Sequence, residues 1–113
     1  MKTTILILLL TLANLASASQ ARICIYIASV AEQVMELRQA SVEQGEVIKS
    51  FSDYPRKFKI YKADDLLLRI IGNAFELPVQ EVERENLRAK WEFGSAWFEL
   101  CLSKEFKINE VIK

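Results

Sequence analysis

Apolar side chains recur along this chain in steps of three and four over three stretches. In the first, residues 22–39, Ile23, Ile27, Val30, Val34 and Leu37 fall on one stripe, widened by Cys24, Ala28, Ala31 and Met35. Ser29, Glu32, Gln33, Glu36 and Gln39 take the other side, so the pattern predicts an amphipathic helix with one buried face. Residues 63–75 carry the most regular run: Ala63, Leu66, Leu67, Ile70, Ile71, Ala74 and Phe75, with Asp64 and Asp65 in the first turn, where carboxylates suit the positive end of the helix dipole. Leu77-Pro78 ends it, because the residue before a proline is pushed out of helical geometry. From Val79 the chain turns charged: Glu81, Glu83, Arg84, Glu85, Arg88 and Lys90 are spaced as exposed helical pairs, and Pro78 is compatible with the first position of that helix. Beyond it Leu87, Trp91, Gly94, Phe98 and Cys101 share one stripe, and Phe93, Trp97 and Leu100 an adjacent one.

Between these helices the signals are shorter. Ser41 followed by Gln44 matches a capping box, predicting a short helix with Val47, Ile48 and Phe51 buried, weakened at Gly45 and stopped at Tyr54-Pro55. Residues 56–62 lack a helical period; Phe58 and Ile60 alternate with lysines, which fits an extended connector or a short strand. The tail, 103–113, alternates weakly around Phe106, Ile108, Val111 and Ile112 and reads as a loosely packed arm. The expected fold is therefore all-α, a small four-helix bundle.

The first eighteen residues stand apart. Lys2 gives a positive start, residues 5–12 an almost unbroken apolar run, and Ala16-Ser17-Ala18 the small-x-small pattern of a cleaved signal peptide. The apolar run is too short for a membrane span of about 20 residues. Residues 1–18 are thus expected to be an export signal and 19–113 a single helical domain. Export would carry Cys24 and Cys101, the two cysteines, into an oxidising compartment, where one disulfide is the expected state. Bridging them pins the first helix against the last and requires the two to run antiparallel, since the Cα atoms of a disulfide lie about 4.4 to 6.8 Å apart.

Charge and composition remove several functional classes. Fifteen basic residues balance fifteen acidic ones, and loss of Lys2 with the leader leaves a net charge of −1, which offers nucleic acid no attracting field. The chain has no histidine, hence no Ser-His or Cys-His pair, and the disulfide occupies both thiols, so neither a catalytic site nor a metal or cofactor is expected.

Two stretches remain as candidate contact sites. Trp91, Phe93, Trp97 and Phe98 place four aromatic rings within eight residues, more of the helix circumference than one core face needs. They read either as a protein-binding face or as the bulk that fills a small core. Arg56, Lys57 and Lys59 sit among aromatics in 56–62 and read either as a surface for an anionic partner or as a solvated loop.

Cys24 with the following Ala31 and Arg38, Ala74-Phe75 before Pro78, and Phe98-x-x-Cys101 together resemble a loose group of small exported bacterial proteins that share a signal peptide and one long-range disulfide. The resemblance implies a periplasmic location and a helical fold. Similar-looking scaffolds include periplasmic acid-stress chaperones and phage-encoded inhibitors of cell-wall lysozymes used in superinfection exclusion. Together the residues and the resemblance lead to the expectation of a periplasmic interaction protein that binds, and inhibits, another protein through the aromatic helix face. An acid-stress holdase and a carrier for a small apolar ligand are the alternatives.

Overall fold

The computed structural model describes the backbone of residues 2–53 and 63–103, and the side chains of 21–53 and 64–103. Four helices follow one another: α1 (Lys2–Gln39), α2 (Gln44–Ser50), α3 (Ala63–Phe75) and α4 (Glu83–Leu102). There is no strand among the described residues, and the all-α bundle expected from the sequence is what forms. The helical backbone of α1 runs unbroken from Lys2 through the small-residue stretch to Gln39, well upstream of the amphipathic part. Among the residues whose side chains are described, no helix is long and apolar enough to cross a membrane.

The core forms where the stripes predicted it. Cys24, Ile27, Val30, Ala31, Val34 and Met35 of α1 are buried, together with Leu67, Ile70, Ile71 and Ala74 of α3. The longest packing seam is between α1 and α4, with α3 laid against α1 and α2 closing on α1 and α3. A disulfide joins Cys24 to Cys101 with the Cα atoms 5.4 Å apart, and both sulfur-bearing residues are buried. Farther along the same seam Glu32 meets Gly94 and Glu36 pairs with Lys90 at 3.2 Å. As positions rise on α1 they fall on α4, which is the antiparallel register the two cysteines require.

Gly94 is a point of close approach. A Cβ built there falls 2.9 Å from Glu32 Oε1 and closer still to Glu32 Cγ, so a larger residue would force the Glu32 side chain to move. Ser95 and Ala96, also small, are exposed and take no part in the approach.

The end of α1 departs from expectation. Ser41 does not cap α2: it sits at φ 62° in the left-handed region, its N–H reaching Arg38 O at 3.0 Å while Val42 N–H reaches Leu37 O at 3.1 Å. This is a Schellman ending to α1, with Val42 and Leu37 both packed against the core as that motif favours. Helix α2 instead begins at Gln44 after Glu43, whose side chain makes no cap. Of its expected buried residues, Val47 and Phe51 are buried but Ile48 is exposed, because seven residues turn only one narrow face inward. The helix ends at Ser50, so the stop expected at Tyr54-Pro55, and with it the extended segment expected at 56–62, lies outside the described residues, as does the tail beyond Ser103.

A non-glycine residue at positive φ carries about 1 to 2 kcal/mol of steric cost. Ser41→Gly is therefore expected to stabilise the fold by about 0.5 to 1 kcal/mol, after the extra freedom glycine gives the unfolded chain. In a domain of this size that is a rise in melting temperature of about 2 to 8 °C, read from the helical circular-dichroism signal. An unchanged or lowered midpoint would mean that the turn holds no such strain.

Candidate functional site

The surroundings of helix α4 fix which of its sides are buried and which are exposed. Cys101 and Gly94 point it at α1, and α3, also packed on α1, faces it across an open groove. Phe93 and Trp97 turn toward that interior, only 4% and 5% exposed, with their rings edge-to-face at a centroid separation of 6.4 Å. The expected four-ring contact face is therefore not formed: Phe93 and Trp97 are core, filling the space that keeps α3 and α4 apart. Phe98 is half-buried against the core, and Trp91, at 61%, is the exposed ring.

What Trp91 belongs to is a different stripe. Leu87, at 47%, and Leu102, at 44%, are also exposed, and with Trp91 and Phe98 they line one side of α4 over four turns, on the opposite side of the α1–α4 pair from α3. Ile25, exposed beside the disulfide, extends this surface onto α1. The helical pattern placed Leu87 on one stripe with Trp91, Gly94, Phe98 and Cys101 and left Leu102 unassigned. The signal for Leu102 is its 100° offset from Cys101, once that residue is known to face α1; Leu87 lies only about 20° from Gly94 on the helix, so its position gave no sign of exposure. Arg56, Lys57 and Lys59 lie outside the described residues, so the structure joins no cation of that segment to this surface.

Comparison of the chain with protein-family models, curated proteins and solved structures gives no match. The site is read from its own geometry.

An open groove of about 440 Å³ runs between α3 and α4 on the other side. Arg69 and Asn73 of α3 and Glu76 just beyond its end rim it, the bare backbone of Gly72 and the methyl of Ala96 widen it, and Trp97 and Leu100 complete it. Among the described residues no three His, Cys, Asp or Glu side chains converge to hold a metal.

Two polar residues that the helical pattern placed on the solvent side of α1 or left unassigned turn out to hold the loop between α3 and α4. Arg38 Nε and Nη2 donate to Leu77 O at 3.1 and 3.0 Å, with the guanidinium 4.9 Å above the Phe75 ring. Gln39 is buried; its Nε2 donates to Pro78 O at 3.0 Å and to Met35 Sδ at 3.3 Å, and its Oε1 accepts from Gln80 N–H at 2.7 Å. These bonds mimic a strand partner for residues 78–80. They explain why α4 begins at Glu83 and not at Pro78, as the proline had suggested.

Truncating Gln39 to alanine leaves the Pro78 carbonyl and the Gln80 N–H without their partner at a part-buried site. The expected cost is about 1 to 3 kcal/mol, measured as a lowered urea midpoint at unchanged slope. A midpoint within error of the parent would show that water replaces the glutamine without loss.

Proposed function

We propose that this protein is an exported, non-enzymatic interaction protein that holds another polypeptide on the Leu87–Trp91–Phe98–Leu102 stripe of α4, and acts by blocking what it binds. The observation that carries the reading is Trp91: a tryptophan left 61% exposed in the middle of an apolar stripe, while its neighbours Phe93 and Trp97 are packed away. Tryptophan is the residue most enriched as an anchor at protein interfaces, and a contiguous apolar patch is what such anchors sit in. Rigid support comes from beneath, where the disulfide and the Gly94 contact lock α4 to α1.

The periplasm is the compartment that fits best. The sequence of the first eighteen residues has the form of an export signal, and a buried disulfide belongs to oxidising surroundings. Cell-wall enzymes are a partner class found there, and inhibition of one by a small rigid wedge needs no chemistry from the inhibitor.

The test is affinity capture from periplasmic extract with the wild-type chain beside Trp91→Ala. Because Trp91 is exposed, the variant is expected to keep the parent's melting temperature and to lose the captured protein. Equal recovery by both would remove the stripe from the function.

A further inference from the structure

The stripe on α4 reads almost the same from either end. Leu87, Trp91, Ser95, Phe98 and Leu102 lie at steps of four, four, three and four, within an arc of about 80° on the helix. The order is large, large, small, large, large. A two-fold interface demands this property, because one patch must complement itself: residue i meets j while j meets i. We propose that a second copy of this chain covers the stripe until the blocked partner displaces it, with the two α4 helices antiparallel and Ser95 beside the two-fold axis. The proposal rests on the stripe being a contact surface, as argued above, and adds what covers it in the absence of that partner.

In that arrangement Leu87 of each copy lies opposite Leu102 of the other, and Trp91 opposite Phe98. Ser95 leaves room at the centre, so the rings on either side can interdigitate across the axis as knobs between neighbours. Charge selects the direction. Arg88 and Glu99 both stand on the flank of the stripe that turns away from α1, near its opposite ends; Arg88 is 58% exposed and held only by an exposed i,i+3 pair to Glu85 at 3.4 Å. Antiparallel pairing brings Arg88 of each copy to Glu99 of the other, twice. Parallel pairing would set arginine on arginine and glutamate on glutamate, an arrangement that flanking charges disfavour. Glu32 is the counterweight: packed on Gly94, it comes near the axis in both copies and keeps the association reversible.

The experiment is sedimentation velocity of the oxidised full chain over a range of concentrations. The expected species is a dimer, weakened about tenfold or more by Trp91→Ala, which removes two central anchors per dimer. Arg88→Glu should weaken it as well, and Arg88→Glu with Glu99→Arg should restore it, a rescue that a general loss of fold would not give. Ser95→Cys, at an exposed position, should form an intermolecular disulfide while Cys24 and Cys101 stay paired. A monomer at all concentrations, or a dimer indifferent to Trp91 and to the charge exchange, overturns the proposal. If the chain is monomeric and Trp91→Ala still loses a protein captured from extract, the second copy falls and the contact surface stands. If Trp91→Ala changes neither, both fall.

Discussion

Reduction of the Cys24–Cys101 bond, or its removal by a double change to serine, is expected to lower stability by about 4.5 kcal/mol. The loop it closes is long, with the two cysteines 77 positions apart, and the chain-entropy treatment of a cross-link grows with the logarithm of that length. A domain this small has about 5 to 10 kcal/mol in total, so half or more of its margin rests on one covalent tie. The effect concentrates at one end of the bundle. Cys24 lies just past the stretch expected to be cleaved, and Cys101 precedes the last helical residue, Leu102, so without the bond both helix ends are free to fray while the Glu32–Gly94 and Glu36–Lys90 contacts still hold the middle. Urea unfolding with and without reductant measures it. A midpoint that does not move on full reduction would show that packing alone closes the α1–α4 seam.

Replacing Trp97 with alanine is the second large effect, about 3 to 5 kcal/mol, against almost none for Trp91→Ala. Both are tryptophans of one helix, six positions apart, and their surroundings decide the difference. Trp97 sits at 5% exposure against Phe93, between α3 and α4, where truncation would leave a cavity that two helices tied to α1 cannot close. Trp91 at 61% exposure gives up little that water does not replace. The pair separates a buried ring from an exposed one: at a concentration where the chain is monomeric, Trp97→Ala should shift the melting curve and Trp91→Ala should not. Two equal shifts would contradict the division of α4 into a core side and an exposed side.

The parts of this fold that could be read from residue order are those where periodicity is long. Helices α1 and α3 showed themselves through unbroken steps of three and four, and Ile70, Ile71, Val34 and Met35 are buried where the pattern put them. The disulfide followed from there being two cysteines near the ends of helical runs, and it holds. What the order could not settle was which rings of α4 face inward. Phe93 and Trp97 stand to one side of the Gly94–Cys101 line and Trp91 and Leu102 to the other; only the position of α3 decides which side is dry, and that is a matter of bundle handedness.

Gln39 failed to show for another reason. Its place on a helical wheel is polar, and its burial is made by residues 78–80, a loop with no period of its own. Ser41 was hidden by ambiguity, since serine three before glutamine is the mark of a helix start, whereas the left-handed ending of α1 is a role usually signalled by glycine.

The order in which the helices are made carries a final consequence. Among the described helices α1 is made before the other three and its principal packing partner, α4, after them, so α2 and α3 can settle on α1 during synthesis while the face that α4 covers stays bare until α4 is made. Partial folding during elongation leaves that face open, because contacts so distant along the chain must wait for both ends. The longest seam of the bundle therefore closes after the rest, and the disulfide that seals it can form only once Cys101 has been made.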